Sequence, residues 1–174
     1  TQSISYAELK MQVEKTAAYF QQKGIQKRDR ILVFVPMSLD LYRIVLAIFY
    51  IGATAVFLDE WVNKKRLEIC CQIADCKGFV GILKARIFTL FSKELRRIPI
   101  KLSRKKQANK SISTQTMNAD DAALITFTTG STGTPKAARR THEFLKSQFD
   151  ALLEEIRPKV SDVDMPVLPI VLFM

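Results

Sequence analysis

The chain has 174 residues, 48% of them apolar and 25% charged, which suits one globular domain with its own core. That composition excludes disordered and collagen-like chains, while 27 Lys and Arg against 17 Asp and Glu leave a net charge of +10. The longest apolar run, residues 44–58, is shorter than the ~20 residues a bilayer crossing needs, and Gly52 interrupts it.

Residues 5–24 read as a helix. Ser5 and Glu8 have the spacing of a capping box, and Tyr6, Leu9, Val13, Ala17 and Phe20 recur every three or four positions as one apolar stripe. Gly24 sits where a left-handed helix cap is wanted. "RILVFVP" then predicts a buried strand stopped by Pro36. Ser38 can cap a second helix through Ile51, Gly52 can end it, and "ATAVFL" reads as the next strand. Strand, helix and strand in so few residues make a βαβ unit, and the unbroken apolar strands imply a parallel sheet covered on both faces.

The alternation continues with a helix over residues 63–74, a strand at "GFVGIL" and a helix over residues 84–95. Cys70, Cys71 and Cys76 fall on the first of these helices. Three cysteines, two of them adjacent, make a poor disulfide framework. With the only histidine, His142, distant in sequence, no metal site is expected. Free thiols, buried or half-buried, in a reducing compartment are the reading. No basic stretch followed by an apolar one marks a secretory leader near residue 1, and a cytoplasmic location is expected.

Residues 92–110 hold eight basic side chains against Glu94 alone. They read as a solvated surface or linker, with peripheral contact to an anionic membrane as the functional alternative. No aromatic residue interleaves them, so no nucleic-acid partner is expected. A polar stretch to residue 121 follows as a surface loop or weak strand. "AALITFT" is the next strand, Thr141 can cap a helix to about Ile156, and Pro158 closes that helix. Residues 163–174 are apolar again. The expected fold is α/β: a doubly wound, mostly parallel sheet with helices on both faces. Residues 1–91 form a βαβ-type part, residues 92–120 a basic and polar connection, and residues 121–174 a strand, a loop, a helix and a further strand.

"TTGSTGTPK", residues 128–136, lies between a strand and a predicted helix. Glycines let backbone N–H groups approach an anion, and the start of a following helix adds positive potential. Hydroxyls of Thr128, Thr129, Ser131, Thr132 and Thr134 can donate to phosphate oxygens, and Lys136 offers a point charge. The spacing is not that of the nucleotide-binding P-loop, because Pro135 precedes the lysine and Ala137 follows it.

In residue order, this stretch with Thr141 and His142 downstream closely resembles the signature loop of the adenylate-forming enzymes, the AMP-dependent synthetases and ligases. Residues 5–59 are similar to that family's N-terminal subdomain. "GFVGILKARI" and "VDMPVLPIVLFM" resemble the fatty-acyl-CoA ligases and the olefin-pathway β-lactone synthetases. Three departures are Ala137 and Arg28, each where the family usually has glycine, and Glu60 where it often has proline.

The resemblance implies that Thr128, Thr129, Gly130, Ser131, Thr132, Gly133, Thr134, Pro135 and Lys136 bind the phosphates of ATP. Lys136 is the catalytic cation, and His142 a candidate for the substrate pocket. It further implies Mg2+, a small carboxylate substrate such as a fatty acid, and coenzyme A as acceptor. The chain would be the N-terminal part of the AMP-binding domain, inactive alone and prone to self-association, with the C-terminal domain lying beyond it. The competing reading is a non-catalytic basic module that docks on membrane or nucleic acid.

Overall fold

The structure is a computed structural model that describes residues 3–58, 64–82, 92–110, 112–129, 135–159 and 161–162. The elements, in chain order, are α1 (Tyr6–Gln22), β1 (Arg30–Phe34), α2 (Leu39–Tyr50), β2 (Thr54–Phe57), α3 (Lys64–Ala74), β3 (Gly78–Gly81), α4 (Lys93–Arg97), β4 (Ile100–Ser103), β5 (Ala122–Thr129), β6 (Pro135–Thr141) and α5 (His142–Ile156). The strands form one sheet in the order β4-β3-β1-β2-β5-β6. Every pairing is parallel except that of β5 with β6.

The chain winds from β1 to its neighbour β2, then crosses back over β1 to place β3 on the other side. Alternate residues of each strand therefore feed two cores. Ile31, Val33, Ala55, Val80 and Leu124 pack with α1 and α2, whereas Leu32, Val56, Phe79 and Ile125 pack with α3 and α4. Burial on both faces is why the inner strands carry unbroken apolar runs. The doubly wound, mostly parallel α/β architecture is the expected one.

Local signals set the helix ends. The Ser5, Ser38 and Thr141 hydroxyls accept from N–H groups of the first turns of α1, α2 and α5. The reciprocal arm of the expected capping box is not made, because the Glu8 carboxylate instead accepts from Gln12 Nε2 at 3.2 Å. Gly24 and Gly52 follow α1 and α2 with φ of +91° and +69°, the left-handed region that a side chain resists. Tyr6 leaves the expected apolar stripe and is 93% exposed, while Val13, Ala17 and Phe20 are buried.

Two expectations are corrected. Residues 92–110 are not a solvated linker: they contain α4 and β4, and Leu95, Ile98 and Leu102 are buried in the cores. The driving force is burial of these three apolar residues, which outweighs the surrounding charge. Cys76 lies beyond the end of α3 rather than on it, although all three cysteines are free and buried as expected. The helix expected over residues 84–95 falls mostly outside the described residues, which resume at Ser92, the cap of α4.

Candidate functional site

Five parallel strands end at one edge of the sheet, and β5 is the one that continues toward the hydroxyl-rich segment. In open α/β sheets, that carboxyl edge is where ligands bind. The expected strand–loop–helix arrangement is corrected here. After the loop the chain re-enters the sheet as β6, pairing antiparallel with β5 from Thr129↔Pro135 down to Ala122↔Thr141. The helix begins only at His142, at the far end of β6. Its dipole is thus a whole strand away from the loop and adds nothing there, since helix-end fields fade within about one turn. Cross-strand pairing with β5 overrides the weak strand propensity of "KAARRT".

The hairpin register brings Thr128 directly opposite Lys136. Both side chains are exposed, and no carboxylate pairs with Lys136 among the described residues. A hydroxyl and an ammonium group therefore share one sheet face at the mouth of the hairpin. Pro135 starts β6 and is buried. The expected site residues Gly130, Ser131, Thr132, Gly133 and Thr134 lie outside the described residues, as does the side chain of Thr129.

One cation escaped the sequence reading. Arg140 is half-buried on the same face as Lys136, and its Nη1 donates to Thr126 Oγ1 at 2.7 Å. Thr126, Thr128, Lys136 and Arg140 thus form one polar column on the hairpin. The signal was the even spacing of residues 136, 138 and 140, visible only once this segment is taken as a strand. Such a column offers hydroxyl and cationic donors and no carboxylate, the chemistry of an anion site.

His142 is kept apart from that site. Its ring meets Phe49 edge-on, with centroids 5.6 Å apart, and lines an apolar cavity of about 400 Å³ with Leu9, Val13, Leu46, Phe49 and Tyr50. Its Nε2 is buried without a hydrogen-bond partner among the described residues. Burial pushes the imidazole below its usual pKa, opposed by the Asp121 carboxylate and aided by the Lys27 charge. Among the described residues, no group of three His, Cys, Asp or Glu side chains could hold a metal ion.

A family model described as "AMP-binding enzyme" matches residues 1–173. The chain belongs to the AMP-binding enzyme family. Among curated members, it is 29% identical to the olefin beta-lactone synthetase of Xanthomonas campestris pv. campestris over 96% of this chain and 33% of that protein. It is 28% identical to an uncharacterized acyl–CoA ligase, YtcI, of Bacillus subtilis over 81% of this chain and 29% of that protein. The chain thus spans about a third of the length of these relatives. ATP-bound MatB from Rhodopseudomonas palustris superposes with a TM-score of 0.85 at 25% identity, covering 98% of this chain and 36% of that one. Membership in this adenylate-forming family and its α/β fold agree with the motif at residues 128–136.

Proposed function

We propose that this chain forms the first part of an enzyme that activates a carboxylate with ATP, giving an acyl-adenylate and pyrophosphate, and then passes the acyl group to coenzyme A. The observation that carries the reading is the pairing of Thr128 with Lys136 at the carboxyl edge of the sheet, in a chain of the AMP-binding family. The names of an acyl–CoA ligase and an olefin beta-lactone synthetase among its relatives, and ATP bound to the similar MatB, support the same assignment.

Hydroxyl donors beside an exposed, unneutralised ammonium fit a polyphosphate. ATP, when bound, supplies the phosphorus that the carboxylate attacks and pyrophosphate as the leaving group. The chain's own contribution is positional and electrostatic. Thr128 and the hydroxyls and amides of residues 129–134 hold phosphate oxygens, and Lys136 neutralises negative charge on the departing side. Mg2+, when present, would come with ATP on its phosphate oxygens. The name of the acyl–CoA ligase among its relatives favours an acyl chain such as a fatty acid as substrate.

The test is ATP–pyrophosphate exchange in the complete enzyme. Lys136→Ala should lower the exchange rate by about 10²–10³-fold with an unchanged circular dichroism spectrum. Exchange that persists at the original rate refutes the assignment.

A further inference from the structure

At the opposite edge of the sheet, β4 is the outermost strand, and the chain leaving it turns back over α1. Three contacts fix that course. Ser103 N donates to the Tyr19 hydroxyl at 3.1 Å, Ala108 N donates to Lys15 O at 3.0 Å, and the buried Arg43 donates through Nη2 to Arg104 O at 2.6 Å. The segment after β4 therefore lies alongside the part of α1 that carries Lys15 and Tyr19. Met11, Lys15 and Tyr19 recur every four residues there, which stacks them on one side of the helix, and Lys23 follows as its C-terminal cap residue.

This juxtaposition gathers five lysines from two separate stretches: Lys15 and Lys23 on one, and Lys105, Lys106 and Lys110 on the other. Four are exposed and Lys15 is half-exposed. None has a carboxylate partner among the described residues, and the acidic groups nearby are engaged elsewhere. Asp40 pairs with Arg43 and Arg104, Glu94 with Arg97, Glu8 accepts from Gln12, and Glu14 faces Tyr50. Met11, at the end of the row, is 46% exposed.

We propose that this lysine belt is a docking surface for an anionic phospholipid bilayer. Its unpaired charges are lysine point charges, since the one arginine of residues 104–110, Arg104, is paired with Asp40, and the segment has no aromatic side chain; this suits a diffuse anionic plane better than bases or single phosphates. The exposed Met11 gives the belt an apolar edge for the interface. Attraction to such a surface adds lysine by lysine and is screened by salt. Four inter-strand spacings, about 19 Å, separate β4 from β5, so docking leaves the hairpin mouth free.

The experiment is co-sedimentation of the chain with vesicles of equal parts phosphatidylserine and phosphatidylcholine, against phosphatidylcholine alone. Binding should need the anionic lipid, weaken as salt rises, and fall by roughly tenfold or more in a Lys105→Glu, Lys106→Glu, Lys110→Glu variant. The neutral variant with glutamine at the same three positions should fall between the two. A Lys146→Glu, Arg157→Glu, Lys159→Glu variant changes net charge equally on and just after α5, and should bind as the parent does. Equal loss in both glutamate variants would reduce the effect to net charge and overturn the proposal. So would duplex DNA binding as tightly as the vesicles at the same salt, or no vesicle binding in variants and parent with native circular dichroism. None of these outcomes bears on Lys136, whose role is read by nucleotide exchange.

Discussion

Arg28 has φ of +68°, a left-handed conformation that costs a non-glycine residue about 1 kcal/mol. The structure offsets this through its side chain: Arg28 Nε donates to Asp121 Oδ1 at 2.8 Å, and Lys27 Nζ lies 3.2 Å from the other oxygen. The substitution of the family's usual glycine thus comes with an ion pair to a residue 93 positions away. The Asp121 carboxyl is held well below the usual range, first by the backbone N–H of Asn118 and then, against the opposing effect of burial, by Arg28 and Lys27.

A carboxylate with a lowered folded-state pKa stabilises the protein above its unfolded value of about 3.9 and loses that contribution as pH falls below it. Urea midpoints should therefore drop between pH 5 and pH 3, and less so in Asp121→Asn, which is also less stable than the parent at pH 7. His142 titrates in a separate window. Its folded form disfavours the proton, so the unfolded chain binds more protons below its value of about 6.5, and stability should fall as pH drops from 7 toward 5. His142→Phe should flatten that slope. A slope unchanged by the substitution would place the titration on another group.

Among the elements, β1, β2, β3 and β5 were legible because both of their faces are buried, which leaves apolar runs of four or more residues. The strands β4 and β6 were not. Among the described residues each is an edge strand with one buried residue, Leu102 and Pro135, and the others are Lys, Arg, Ala, Ser, Thr and Ile at mixed exposure. Truncating Leu102 to Ala should cost about 2–5 kcal/mol in chemical denaturation, as for a core position. A change under about 0.5 kcal/mol would return residues 92–110 to a surface linker. Thr141→Ala should cost about 1 kcal/mol, because the Thr141 hydroxyl accepts the Phe144 N–H at 3.1 Å at the start of α5.

For the whole molecule, two cores on opposite faces share one sheet, so neither can open without exposing strands that belong to the other. All three thiols lie in the core beside α3 and α4. Burial, the largest cause, pushes Cys71 and Cys76 up to about 12, which leaves almost no thiolate at neutral pH. Labelling by a thiol reagent at pH 8 should therefore follow unfolding, with the same urea dependence as circular dichroism, and Leu102→Ala in the other core should accelerate it. Labelling that ignores urea below the unfolding transition and ignores Leu102→Ala would mean that the α3 side opens locally.

The sequence by itself determined the order of the inner strands and helices along the chain, the capping hydroxyls, and the family to which the motif at residues 128–136 points, because each is written in neighbouring residues: a run, a capping hydroxyl, a motif. Only the tertiary structure decided that the loop returns as a strand, that Arg140 joins Lys136 on one face while His142 does not, and that the segment after β4 lies against Lys15 and Tyr19 of α1. Those relations depend on register and on contacts between residues tens of positions apart. They are set by which surfaces must be buried together, and no local pattern encodes them.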